Sequence, residues 1–140
     1  MKINYSILVG LYELYFNGPK KSFTDDNFYY SEEYKHLEEQ ISEQIKTDLV
    51  SLFGEKAPNY VYVQCEEDYI EEGSYNYSAE FELKGELKLI PKDFKVSKKN
   101  IANLETLMKK EAMLEIKKIE KIYPTMCIDE IEIADWEIID

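Results

Sequence analysis

The chain is predicted to be an α+β domain, a four-stranded antiparallel sheet with two helices packed on one face. Three observations predict this. Residues Tyr75 to Leu89 alternate apolar and polar without a break. Two stretches, 31–53 and 97–123, each carry a single apolar stripe at helical spacing. The other apolar runs have the period of two that marks strands buried on one side only. One-sided strands belong to antiparallel sheets with one solvated face, which leaves the other face for the helices.

The first strand is expected over Ile3 to Phe16. Its apolar phase runs through Ile3, Tyr5, Ile7, Val9 and Leu11, then shifts to Tyr12, Leu14 and Phe16. A bulge near Gly10 accounts for the shift. Residues Asn17 to Tyr30, opening with Asn-Gly-Pro-Lys, read as a loop or a short extra hairpin. The first helix is expected from Ser31 to Phe53, with its stripe at Tyr34, Leu37, Ile41, Ile45, Leu49, Leu52 and Phe53. Ser31 is placed as its N-cap, Glu32 and Glu33 sit where the helix dipole favours acid, and Gly54 ends it.

The second strand is expected over Asn59 to Ile70, with Val61, Val63 and Cys65 on one face, and Glu71-Glu72-Gly73-Ser74 turns it into the long third strand. In that strand the odd positions from Tyr75 to Leu89 face the core, and Gly85 suggests a bulge or bend. The second helix is expected from Ser97 to Tyr123, striped by Ile101, Leu104, Met108, Ala112, Ile116, Ile119 and Tyr123, and stopped by Pro124. The last strand, Ile128 to Ile139, changes phase once between Ile133 and Trp136. The order β-α-β-β-α-β is that of the ferredoxin-like sandwich, or split βαβ arrangement. No repeat or linker interrupts it, so residues 1–140 are expected to be a single α+β domain.

Composition narrows the function. All 17 basic residues are lysine, there is no arginine, and 29 Asp and Glu give a formal net charge of −12. A nucleic-acid binder is expected to carry a basic footprint and to use arginine on phosphate, so direct nucleic-acid binding is not expected. The 44% hydrophobic share is enough to build a core. The N-terminus reads as a strand rather than a signal peptide. No stretch approaches the ~20 apolar residues of a membrane helix. The expected location is the cytoplasm (the host cytoplasm if the gene belongs to a phage), with no membrane partner. Cys65 and Cys127 lie in strand-like stretches without a CxxC pattern and are expected to be buried, unpaired thiols.

Nothing in the sequence points to catalysis. His36 is the sole histidine, and no phosphate-binding, nucleophile-elbow, zincin or EF-hand motif occurs. No catalytic residue, metal or cofactor is expected, and the chain is not expected to be an enzyme.

Charge, by contrast, is segregated. Residues 1–91 hold 18 acids and 8 lysines, residues 92–121 hold 5 acids and 9 lysines, and residues 122–140 hold 6 acids and no base. The second helix is therefore basic and the rest of the molecule acidic. The even side of the long strand offers Glu80, Glu82 and Glu86 with Lys84 and Lys88 to the open sheet face, and the last strand adds Glu130, Glu132 and Glu137 to whichever face they reach. Tyrosine is abundant, 12 residues, concentrated in the segment around Tyr29, Tyr30 and Tyr34 and between Tyr60 and Tyr77. Tyr75 and Tyr77 fall in core phase, whereas Tyr29, Tyr30, Tyr62 and Tyr69 are surface candidates for recognition.

These features lead to the expectation of a small acidic inhibitor that docks on the basic surface of a nucleic-acid-processing protein. Its carboxylates would occupy the places of phosphates, in the manner of phage anti-defence, anti-CRISPR or nuclease-immunity proteins. The expected partner-binding residues are Tyr29, Tyr30, Glu66, Glu67, Asp68, Tyr69, Glu71, Glu72, Glu130, Glu132 and Glu137. The acidic last strand discourages edge pairing and favours a monomer over a homodimer. The alternative is a binder of an anionic metabolite or nucleotide, using the Tyr-rich loop and the lysines of the second helix, Lys98 and Lys99 among them.

Overall fold

The computed structural model describes residues 2–18, 32–67, 73–88 and 97–139. Within them lie β1 (Lys2–Asn17), α1 (Glu32–Phe53), β2 (Val61–Glu67), β3 (Ser74–Lys88), α2 (Lys98–Ile116) and β4 (Cys127–Ile139). Short 3-10 turns at Gly54–Lys56 and Lys117–Lys121 prolong the two helices. The architecture is an α+β fold with an open, four-stranded antiparallel sheet in the order β2-β3-β1-β4.

Alternation decides which side of each strand is buried. Ile3, Tyr5, Ile7, Val9 and Leu11 of β1, Val61 and Val63 of β2, and Tyr75, Tyr77, Ala79, Phe81 and Leu83 of β3 all enter one core cluster. The helices close it with residues four apart, Leu37, Ile41, Ile45 and Leu49 from α1 and Leu104, Met108, Ala112 and Ile116 from α2. That spacing puts each set on one helical face, and removing such side chains from water is the main force holding helix to sheet. β4 contributes Ile128, Ile131, Ile133, Trp136 and Ile138, which pack against the cluster while only partly buried.

Polar ties fix the layers. Ser42 Oγ donates to the Val61 carbonyl at 2.6 Å, linking α1 to β2. The Tyr123 hydroxyl, just after α2, donates to Asp48 of α1 at 2.5 Å. Ser97 caps α2 by accepting the Asn100 N–H at 3.2 Å, as its side chain and position predict. Gly54 ends α1 with φ +58°, a left-handed conformation that glycine adopts without penalty.

Four sequence expectations are corrected here. Gly85 marks no bulge. It lies in unbroken register opposite Tyr5, and the Tyr5 ring covers it so closely that a Cβ there would stand 2.3 Å from the ring. The glycine makes room for an aromatic side chain on the neighbouring strand. The bulge expected near Gly10 falls a little later, where Tyr12 and Glu13 are both accommodated between the Leu11 and Leu14 pairings with β3. Glu13 takes φ 61° there, an unfavourable left-handed conformation for a residue other than glycine. Cys65 and Cys127 form no disulfide among the described residues and are only half-buried; Cys127 pairs with Tyr12 and so lies on the open side of the sheet. In β4 the phase change lies at Ala134, between the pairs Ile133–Ile7 and Asp135–Ser6, and a second irregularity at Asp129 follows from the pairs Glu130–Gly10 and Ile128–Leu11.

Candidate functional site

The sheet face away from the helices carries the chemistry that the core excludes. Cross-strand register shows which side chains meet there, because directly paired residues share a face. Gly10 at the centre of β1 is flanked by Glu80 on β3 and Glu130 on β4, and Tyr62 on β2 pairs with Glu80. In the adjacent row Leu8 is flanked by Glu82 and Glu132. Alternate residues of one strand stand roughly 7 Å apart, and strands two places apart roughly 10 Å. The four glutamates thus outline a small rectangle centred on Leu8 and Gly10. All four are exposed, and among the described residues none makes an ion pair.

Apolar groups are exposed within and beside this acidic frame. Leu8 is 46% exposed, Tyr12 40%, Tyr62 52% and Tyr60 68%. Leu8, Tyr60 and Tyr62 line one shallow trough with Glu82, Glu130 and Glu132, of about 290 Å³. A second hollow, of about 380 Å³, adjoins it and is lined by Tyr12, Glu13, Glu66, Asn76 and Ser78. Gly10, Glu80 and Asp129 belong to both. The shared floor is low because Gly10 has no side chain and the strand irregularities at Glu13 and Asp129 lie to one side of it.

Hydrogen bonds orient part of this wall. Ser78 Oγ donates to Glu66 Oε1 at 2.8 Å, and the Tyr15 hydroxyl donates to Glu13 Oε2 at 2.5 Å. Thr125 Oγ1 donates to the Glu13 carbonyl at 2.9 Å and anchors the bulge to the chain entering β4. The Tyr12 hydroxyl is held above its ordinary pKa, chiefly by Cys127 across the ladder through charge and a hydrogen bond, then by burial and the charges of Asp129 and Glu13. Each of these influences disfavours a further negative charge in the hollow.

The other half of the open face is different. There Glu86 meets Lys2 at 3.7 Å and Lys88 at 3.8 Å, and Lys84 pairs across the ladder with Ser6. Charges balance in that half, whereas the half around Gly10 is acidic throughout. On the helix side, a narrow cleft of about 60 Å³ lies over Tyr5 between Lys56, Glu111 and Glu115. Burial, then the charges of Glu111 and Glu115, pushes the Tyr5 hydroxyl up to about 12.

The sequence-predicted residues are only partly brought together. Glu130 and Glu132 stand on the acidic half, and Glu66 lines its rim. Glu137 pairs with Asn4 at the far, balanced end of the sheet, six positions along β1 from Gly10 and roughly 20 Å away. Glu67 closes the β2–β3 ladder opposite Asn76, and its side chain lies outside the described residues. So do Tyr29, Tyr30, Asp68, Tyr69, Glu71 and Glu72. His36 is exposed on α1. Sequence reasoning left out Leu8, Gly10, Glu13, Tyr60 and Asp129. One signal existed for Leu8, an aliphatic residue on the polar phase of its strand. None existed for Gly10, whose importance depends on which residues flank it.

Among the described residues, no group of three or more His, Cys, Asp or Glu is arranged to hold a metal ion. No helix among them is long and apolar enough to cross a membrane. No protein-family model matches the chain, and no curated protein or solved structure is significantly similar to it.

Proposed function

We propose that this protein is an inhibitor that binds another protein, docking the acidic half of its open sheet face on the basic surface of a nucleic-acid-processing partner. One observation carries the reading: Glu80, Glu82, Glu130 and Glu132 surround the exposed Leu8 without a neutralising lysine among the described residues. An apolar centre within a charged rim is the general anatomy of a protein-binding patch. Carboxylates on alternate strand positions are spaced much like successive phosphates of a nucleic-acid strand. They therefore suit a surface whose lysines and arginines normally hold phosphate.

The frame for this face is, in our reading, the ferredoxin-like sandwich. The order β-α-β-β-α-β with β3 inserted between β1 and β2, and β1 between β3 and β4, supports it. Many modules of that architecture bind single-stranded RNA by stacking bases on this face. Here the same position is filled by carboxylates, which repel phosphate. In the alternative reading of an anionic ligand, Lys98 and Lys99 stand exposed at the start of α2, but the tyrosines meant to complete that pocket lie outside the described residues.

The test is capture from a host lysate at low salt with elution by a salt gradient, run in parallel with a variant carrying Glu80→Gln, Glu82→Gln, Glu130→Gln and Glu132→Gln. A basic nucleic-acid-binding protein should be retained by the wild type, released as salt rises, and lost from the variant. Equal capture by both proteins would sink the reading.

A further inference from the structure

We propose that the hollow beside Gly10 is a subsite for one arginine side chain of the partner, an inference that rests on the docking face described above. Three independent features converge on that chemistry. The first is space. A Cβ at Gly10 would meet nothing nearer than the Glu130 nitrogen at 3.7 Å and the Asp129 Cβ at 3.8 Å. No close contact obliges this residue to be glycine, and the room a side chain would take is left to the hollow.

The second feature is an unmet acceptor. Tyr75 and Tyr77 point into the core, so Asn76 between them points to the open face, where it lines the end of the hollow away from Gly10, four positions and roughly 13 Å along β3 from Glu80. Asn76 is nevertheless only 3% exposed, and its Oδ1 has no hydrogen-bond partner among the described residues. A buried acceptor left unpaired is costly, and an incoming N–H donor relieves the cost.

The third feature is the arrangement of charge and ring. Glu80 on β3 and Asp129 on β4 approach Gly10 from opposite strands, and Glu66 is held at the rim by Ser78. The half-exposed Tyr12 adds an aromatic surface to the same hollow. A guanidinium carries five N–H donors in a planar fork, pairs with carboxylates and stacks on aromatic rings. A lysine ammonium is a point charge with three donors and uses this set less fully. Arginine is also the basic residue that this chain itself lacks, so the subsite has no intramolecular arginine to fill it.

The experiment is a titration of the wild-type protein with a tetra-arginine peptide and a tetra-lysine peptide, followed by amide chemical shifts and calorimetry. It is repeated with Gly10→Leu, which fills the hollow, with Asp129→Asn, and with the charge-matched control Glu120→Gln on the helix side. Thermal melts establish that each variant is folded. The expected result is shifts centred on Gly10, Glu80 and Asp129 and tighter binding of the arginine peptide. Gly10→Leu and Asp129→Asn should each lose about tenfold in affinity, with the control unchanged. If folded Gly10→Leu and Asp129→Asn bind the arginine peptide as the wild type does, the subsite is overturned and the docking face stands. Equal affinity for the two peptides also overturns it. If neither peptide binds and lysate capture is insensitive to the four glutamine substitutions, the docking face falls as well.

Discussion

Ile7 and Leu8 are neighbours on the central strand, both aliphatic, yet Ile7 is 2% exposed and Leu8 46%. The contrast extends to the whole sheet. On the helix side, cross-strand neighbours are apolar and the layer is closed by α1 and α2. On the open side, the same strands present Glu80, Glu82, Glu130 and Glu132 around one leucine. The two faces do different work. The first gains its stability by removing apolar area from water, whereas the second keeps like charges close together at some cost to stability. An arrangement that costs stability and is left uncompensated within the described residues suits the proposed docking surface, where a basic partner would supply the missing charge.

Truncation on each side gives the largest contrast. Ile7→Ala should cost about 2–5 kcal/mol in urea denaturation, as for a fully packed core aliphatic. Leu8→Ala should stay within about 0.5 kcal/mol yet weaken capture of the basic partner. Equal losses of stability would mean that both faces are packed, and the comparison would fail.

Alkaline pH probes the closed face next. Tyr5 stays protonated in the folded protein up to about 12, against 10.0 for a free tyrosine. A raised folded pKa means that the native state holds its proton more tightly than the unfolded chain does. Its contribution is therefore fully present below pH 10 and is lost as pH climbs from 10 to 12. Burial raises Tyr77 and Tyr123 as well, with Asp48 adding to the effect at Tyr123. For Tyr5 alone the loss is about 2–3 kcal/mol. Denaturant melts at pH 8, 10 and 11.5 with tyrosinate absorbance measure it. Stability that stays flat across this window would place the Tyr5 hydroxyl in water.

The smallest effect belongs to the open face. Glu80→Gln should raise stability by a few tenths of a kcal/mol at low ionic strength, by relieving repulsion from Glu82 roughly 7 Å away, since the neighbour on its other side is the uncharged Ser78. The gain should vanish in 0.5 M salt, where screening is nearly complete at that separation. A loss of stability instead would show that Glu80 is paired in solution.

Much of the fold was legible because its signals are local. Alternation from Tyr75 to Leu89 fixed the type and burial of β3, and the four-residue spacing of Ile41, Ile45 and Leu49 did the same for α1. Gly85 shows where such reading stops. A glycine in a strand suggests a bulge, but its role here is to admit the ring of Tyr5, eighty residues earlier in the chain. Glu130, Glu132 and Glu137 looked equivalent in sequence, and the ladder to β1 divides them between an acidic half and a balanced half.

By itself, then, the sequence determined the elements, their order and the acid excess, since propensity, period and charge are properties of short segments. Only the tertiary structure decided that Gly10, Glu80 and Asp129 share one hollow and that Leu8 is exposed at the centre of four carboxylates. That outcome depends on the register of strands far apart in the chain. Each extra residue at Glu13, Asp129 or Ala134 shifts the pairing by one, and a shift of one changes the face on which every later side chain lies.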